Sequence, residues 1–552
     1  MLRFRRQSEF PAPGMITREY RNTRFLIVDS QLDARLLIER KLKALGAWYI
    51  DAAVDGQQAI DRCANGLFDV VICEFHLEGR NGQHVLEELR ERRILRYTSI
   101  FIMISAETTR EMVLAAIDHQ PDAYITKPIA EDTLQQRLDA LLIDNEVLYD
   151  IRHAMDMKRY SEAISRCEEK ILKGSKYLRW CEKTVADLYF RTGAHQDALR
   201  VYRQVLSEKP LVWAQIGIAR VYLALTDYVR AEEQLANVLQ AAPNCLVAHD
   251  LMADLLIETG RDRGAQTVLE DAVRKSPSAI RRHARLGELS IRNNDIDTAT
   301  EAFRNAVELG ACSVFNRPEN HIGFARALAE KSESMPKEIR ERHAREALEV
   351  LANIPEQIGV TEQARFQKSV IGAKLHHRLH DEASEAGCLA QAENLYQRIG
   401  FELDSGSSLE FAEALLNSGR EMQAEFILAQ VTLLHGADEK DARRMVEIRE
   451  EPVSAGARAK AAELNREGIR LVEQGELAEG IRVFGEALEY SPRHPALNLN
   501  LVQVILKSVE SGQGGPQSLD YARECLKRLG KLAETHRQHA RYLHLRQKLG
   551  MV

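Results

Sequence analysis

The apolar residues of this 552-residue chain follow two rhythms. Between about Arg24 and Ile143 they gather into short runs rich in Val and Ile, namely RFLIVD, DVVICE, IFIMIS and AYITKP, and each run stops at a polar residue. Segments of helical period such as ARLLIERKLKALG and NGQHVLEELRERR separate the runs. Short buried strands alternating with amphipathic helices predict a parallel sheet covered on both faces, an α/β doubly wound domain. In such sheets the functional crevice lies beyond the carboxyl ends of the strands. The residues at those ends are Asp29, Glu74, Ser105 and Lys127. After Asp144 the strand signal disappears, and helical periodicity runs nearly to the C terminus.

The helical region repeats itself. RTGAHQDALRVYRQVLSEKP is echoed by LTDYVRAEEQLANVLQAAP, ETGRDRGAQTVLEDAVRKSP and RNNDIDTATEAFRNAVELG. Ala198, Ala231, Ala265 and Ala299 hold the register at spacings of 33, 34 and 34 residues. Pro210, Pro243 and Pro277 each follow their alanine by 12 residues. A small residue suits a close helix crossing, a large one (Tyr202, Leu235, Leu269, Phe303) fills the adjoining gap, and proline stops the second helix. These units resemble tetratricopeptide repeats, so an all-α tetratricopeptide-type solenoid is expected to follow the α/β domain. Weaker units surround Ala163 and Ala424, and a good late one is EGIRLVEQGELAEGIRVFGEALEYSP. The expected divisions are a disordered basic tail (1–22, with Met1 and Met15 both open as starts), the α/β domain (23–143) and regular repeats (144–314). Irregular helices (315–438), a charged flexible joint (439–456) and a C-terminal repeat with capping helices after the SGQGGPQ loop (457–552) complete the series.

At its strand ends the first domain resembles the receiver domain of response regulators. That resemblance implies an acidic pair after the first strand, a phosphoacceptor Asp after the third, a hydroxyl after the fourth and Lys-Pro after the fifth. Here the pair is Asp29-Ser30, the hydroxyl is Ser105 and the lysine is Lys127, followed by Pro128. Tyr124 matches the aromatic that rotates with activation in the family, and Gly79 and Gly82 match the loop after the acceptor. In that register the acceptor position holds Glu74. Asp69 is not the acceptor, because five strand residues at about 3.3 Å each carry it to the opposite edge of the sheet.

Glutamate in place of aspartate moves the carboxylate outward by about 1.5 Å, and misplacements near 1 Å cost roughly a hundredfold in phosphoryl-transfer geometry. Ser30 removes a further charge from the site where magnesium would sit. Three readings follow: Glu74 imitates the phosphorylated state on Lys127 and Ser105; Glu74 and Asp29 weakly hold a magnesium ion in a regulated receiver; or Glu74–Lys127 is a structural ion pair. The first is preferred. It leaves no catalytic residue and no required cofactor, with Asp29 and Glu74 as the only candidates for a weakly held magnesium ion.

The repeat resemblance implies a groove lined by the first helix of each unit. Carried over in register, the lining is Trp180, Lys183 and Asp187, then Trp213, Ile216 and Arg220, then Asp250 and Asp254, then Glu288 and Arg292. The two tryptophans are either adjacent binding anchors or large residues packed between helices. The charges are either partner contacts or a solvated face.

Hydrophobic residues at 45% and charged residues at 28% describe an ordinary folded chain, and a net charge of −7 disfavours a nucleic-acid binder. No apolar run is long enough for membrane insertion. The eight cysteines are scattered without metal or redox spacing, and His376, His377 and His380 lack a completing ligand. Phosphate-loop, dinucleotide, hydrolase and zinc-protease motifs are absent. The domain order resembles the receiver–tetratricopeptide regulators of bacterial two-component systems. The expected function is a cytoplasmic, non-enzymatic adaptor whose partners are proteins: a histidine kinase, a phosphotransfer domain or another regulator. The competing expectation is a phosphoaccepting regulator whose array is the switched output.

Overall fold

The computed structural model describes residues 20–106, 121–333, 335–354, 360–436, 439–450, 455–512, 516–530, 532 and 537–551. Most of the expected tail, with Met15, lies outside these residues, as do 451–454 of the expected joint and 513–515 of the late loop.

Strands β1 (Arg24–Val28), β2 (Tyr49–Ala53), β3 (Val70–Glu74), β4 (Ile100–Ser105) and β5 (Ala123–Thr126) form one parallel sheet in the order β2-β1-β3-β4-β5. Helices α1 (Leu32–Ala44), α2 (Gly56–Asn65), α3 (Gly82–Glu91) and α4 (Glu131–Asp156) connect or follow them. Because strand side chains alternate in direction, each continuous apolar run feeds two cores. Phe25, Ile27, Val70, Ile72, Ile102 and Ile104 meet Ile38, Leu42, Leu134 and Leu138 on one face. On the other face Leu26, Val28, Val71, Phe101 and Met103 meet Ile60, Val85, Leu86 and Leu89. Asp55 and Asn81 start α2 and α3 by accepting from Gln58 N and His84 N, both at 2.8 Å, caps worth about 1 kcal/mol each.

One expected boundary is corrected. Tyr20, assigned to a disordered tail, is 1% exposed; its hydroxyl donates to Asp139 Oδ1 at 2.8 Å and its ring stacks on Phe25. The expected division at residue 143 falls inside α4, one helix of 26 residues. Its first half sends Leu134, Leu138 and Leu142 into the sheet's core, and its second half sends Leu148, Ile151 and Ala154 into the first helical core.

The chain forms two compact units, one of residues up to Asn293 with Asn305–Asn316, the other of Asn294–Arg304 and residues from Arg317. In the first, helix pairs continue from α4 through α5 (Tyr160–Leu172), α6 (Leu178–Arg191), α7 (His195–Glu208), α8 (Val212–Ala224) and α9 (Tyr228–Ala241). Then come α10 (Leu246–Glu258), α11 (Asp262–Lys275) and α12 (Ile280–Arg292), while α13 (Ile296–Gly310) is divided, its residues up to Arg304 belonging to the second unit. The register alanines Ala198, Ala231, Ala265 and Ala299 are all 0% exposed. A Cβ on Gly217 would lie 2.2 Å from the Tyr202 ring, so only glycine permits that crossing. Each turn between paired helices passes through a left-handed residue at the repeat spacing: Gly193, Thr226, Gly260 and Asn294. Glycine and asparagine suit that conformation, whereas β-branched Thr226 is strained there.

The α/β domain and the array touch within this unit. Asp156 accepts from Tyr97 N at 2.7 Å and from Thr98 Oγ1 at 2.9 Å, and Ser313 Oγ donates to the buried Glu87 of α3 at 3.3 Å.

The second unit continues with helices Pro318–Ser332, Lys337–Ala352, Glu362–Arg378, Glu382–Ile399, Ser405–Asn417 and Glu421–His435. Helices Glu439–Glu450, Ala455–Glu473, Leu477–Tyr490, Pro495–Glu510, Pro516–Arg528 and His539–Lys548 follow. The expected joint at 439–456 is corrected: Glu439–Glu450 is a helix whose Met445 and Ile448 are 6% and 1% exposed within an apolar cluster. In the late repeat Phe484 and Ala487 are buried as the pattern requires. No described helix is long and apolar enough to cross a membrane.

Candidate functional site

The carboxyl ends of β1, β3, β4 and β5 bring Asp29, Glu74, Ser105 and Lys127 together. Parallel pairing dictates this, with Val28 opposite Cys73, Glu74 opposite Ile104 and Ser105 opposite Thr126. Lys127 Nζ donates to Asp29 Oδ2 at 2.8 Å and forms an ion pair with Glu74 Oε2, which takes no other hydrogen bond. The second oxygens are also engaged: Asp29 Oδ1 accepts from Gln31 N at 2.9 Å and Glu74 Oε1 from His76 N at 3.2 Å. Asp29 is 2% and Glu74 5% exposed, and Ser105 is fully buried.

Two glycines let the chain leave β3 in this way. Gly79 adopts a φ of +73°, and a Cβ on Gly82 would meet the Glu74 carbonyl oxygen at 2.4 Å. Arg35 was not legible as part of the site, yet its guanidinium donates to the carbonyls of Asp29 and Ser30 at 2.6 and 3.0 Å. It pins the loop that carries Asp29. An arginine in the first turn of the helix that follows Asp29 was the available signal.

Electrostatics follow from this crowding. Burial opposes the charge on Lys127, but the hydrogen bonds and charges of Asp29 and Glu74 outweigh it and hold the ammonium above the ordinary lysine pKa. Burial first, then the Glu74 charge, pushes the neighbouring Cys73 thiol well up. Tyr124 packs against the α3-side core, and burial raises its hydroxyl pKa against the opposing charge of Arg90. Ser30 is exposed and contributes its carbonyl. The donor set is thus two carboxylates, both already turned onto one ammonium. A hard divalent cation, which takes six oxygens in near-octahedral array, finds no third acid among these residues. Asp69 lies at the far edge, where its Oδ2 accepts from Arg24 N at 2.9 Å.

The nominated groove residues are placed differently from one another. Trp180 is half-buried against the first helical core with Arg152 5.6 Å above its ring, and Trp213 packs edge-on to Tyr202 at 6.1 Å. Both tryptophans are therefore packing residues with one partly open face. Many of the charges pair along the array. Arg220 stands 4.0 Å from Asp187 and 4.8 Å over Phe190, Arg282 grips Asp250 through Nε and Nη2 at 2.9 Å each, and Arg285 pairs with Asp254. Arg292 reaches Asp262 at 3.8 Å, while Lys183 and Glu288 are exposed. His376 and His377 each face a carboxylate, Asp381 at 3.2 Å and Glu385 at 3.1 Å.

A parallel five-stranded sheet with this pocket at its carboxyl edge, followed by helical pairs in a repeat of about 34 residues, defines a receiver joined to a tetratricopeptide array. The profile of the response regulator receiver domain matches residues 25–139, and that of the tetratricopeptide repeat matches 189–255. The chemotaxis protein CheY-3 of Vibrio cholerae serotype O1 is 31% identical over 121 residues, covering 22% of this chain and 92% of that protein. The chemotaxis protein CheY of Pseudomonas aeruginosa is 25% identical over 118 residues, 21% of this chain and 94% of that protein. The chain belongs to the response-regulator receiver family through its N-terminal domain, fused to tetratricopeptide repeats. Among solved structures, the receiver domain of the Francisella response regulator 1452 is 24% identical, covering 22% of this chain and 98% of that one with a TM-score of 0.21. The tetratricopeptide protein YrrB is 17% identical over 35% of this chain and 91% of that one, TM-score 0.30. The chain is a two-component-type signalling protein that carries a protein-interaction scaffold.

Proposed function

We propose that the protein is a phosphorylation-independent adaptor: a pseudo-receiver that holds one signalling state and a helical array that binds protein. The observation that carries this reading is the contact of Glu74 with Lys127. The glutamate spans the gap that a phosphoryl group would bridge and brings about one negative charge, against roughly 1.5 to 2 for a phosphate. In doing so it occupies the lysine. Both carboxylates are committed to that ammonium, and Ser30 supplies no third acid, so the site neither takes magnesium nor presents an in-line nucleophile. Tyr124, packed inward, agrees with a fixed state. The domain then contributes a docking face to a kinase, phosphotransfer domain or other regulator, and dampens or redirects a phosphorelay by contact.

The test is incubation of the full chain with a small acyl phosphate and magnesium. The Glu74→Asp form and a Ser30→Asp/Glu74→Asp form run alongside. No acid-labile phosphate is expected on the unaltered protein, with labelling emerging only when both acids are supplied. Stoichiometric labelling of the unaltered chain overturns the reading and restores the phosphoaccepting alternative.

A further inference from the structure

At the edge of the sheet opposite Glu74, where β3, β4 and β5 begin, the receiver and helices α4, α5 and α6 enclose a cleft of about 1370 Å3. Arg90, Arg93, Arg96, Arg152, Lys158 and Arg191 line it, against two carboxylates, Asp122 and Asp156. That balance runs opposite to the chain's net charge of −7. Both acids are taken by the backbone: Asp122 Oδ2 accepts from Phe101 N at 2.8 Å, and Asp156 from Tyr97 N at 2.7 Å. Among the described residues, none of these cations forms an ion pair within 4.0 Å. Arg152 donates to the neutral Asn145 Oδ1 at 2.8 Å, and Arg191 to the Tyr97 hydroxyl at 2.6 Å. Burial lowers the pKa of both Arg90 and Arg152. The charge of Asp122 at Arg90, and those of Asp122, Asp144 and Asp156 at Arg152, offset only part of that burial, and an anion entering the cleft would relieve the rest.

The residue types identify the anion. Five of the six cations are arginines, whose planar forks match phosphate oxygens in pairs. Tyr97, Tyr160 and Trp180 line the same cleft, and aromatic faces stack on planar rings whatever their sequence of atoms. Ligand cavities run to about 300–1,000 Å3, so this volume accepts a mono- or dinucleotide with water. We propose that this cleft is a nucleotide-binding site, with the phosphates on the arginines and the base against Trp180 or Tyr97. Its walls come from both the receiver and the array, so occupancy would tie the two together at the edge remote from Glu74.

The test uses the full chain at physiological salt, by calorimetry and by tryptophan quenching, titrated with ATP, GTP, inorganic triphosphate and a hexaglutamate peptide. At least one nucleotide should saturate and bind about tenfold or more tighter than inorganic triphosphate. Trp180→Leu should remove that advantage, and the exposed pair Arg93→Ala/Arg96→Ala, which leaves the packing alone, should weaken nucleotide and triphosphate together. The proposal is overturned by absence of saturable nucleotide binding at millimolar concentration, by triphosphate or hexaglutamate binding as tightly as nucleotide, or by variants that bind as the parent does.

Discussion

Removing the Lys127 ammonium is the sharpest probe of the pocket. In Lys127→Met the aliphatic stem remains, while Asp29 and Glu74, at 2% and 5% exposed, are left facing each other without a cation. Breaking a buried pair from one side costs about 3–5 kcal/mol. Lys127 keeps 23% of its side-chain surface in water, which places the loss at the lower end, about 3 kcal/mol. At about 1.36 kcal/mol per decade this is roughly a hundredfold in opening. Hydrogen exchange of the β1 and β3 amides in the full chain reads that quantity locally, without requiring the whole array to unfold. The sign with pH is also set. In the parent, the raised pKa of Lys127 means its stabilisation is fully present below the ordinary lysine value and is lost as pH rises through the folded-state value. A double variant, Lys127→Met with Glu74→Gln, should lose less than the sum of the single losses. Protection in Lys127→Met within about twofold of the parent would refute the claim that Glu74 and Lys127 hold each other.

Arg282 and Arg292 offer a contrast along the array. Arg282→Ala orphans Asp250 under an 8%-exposed guanidinium and should lower unfolding free energy by about 2 kcal/mol, whereas Arg292→Ala, whose partner is 3.8 Å away at the surface, should cost no more than about 0.5 kcal/mol; thermal melts of the full chain compare them. Burial, then the charge of Arg80, lowers the His84 pKa to about 4. The unfolded state therefore binds the proton first as pH falls below the ordinary histidine value, stability drops toward pH 4, and His84→Gln should flatten that decline in urea titrations at successive pH values.

The sheet, the repeats and the carboxylate–lysine pocket were legible because each rests on a local rule. A run such as DVVICE alternates its side chains between two cores, so it announces a buried strand and the residue at its end. Alanines at a spacing of 33 or 34 residues announce a repeated helix crossing. Once β1, β3, β4 and β5 lie parallel in one sheet, Asp29, Glu74 and Lys127 must share an edge. Helix Glu439–Glu450 was read as a joint because only Met445 and Ile448 show an apolar face among its charges, too short a stripe to declare itself without its neighbours.

Whatever depends on which surfaces meet was decided by tertiary structure alone. The continuity of α4 is one case: helical periodicity cannot show that Leu138 and Ile151 serve different cores. The groove charges are another, since Asp250 and Arg282 are 32 residues apart and pair only because successive helices stack. The basic cleft is the extreme. Arg93 and Arg96 are close in sequence, but Arg152, Lys158, Trp180 and Arg191 join them from other parts of the chain. A one-dimensional pattern encodes what each residue prefers, whereas an excess of one charge in a shared volume arises only when the chain folds back on itself.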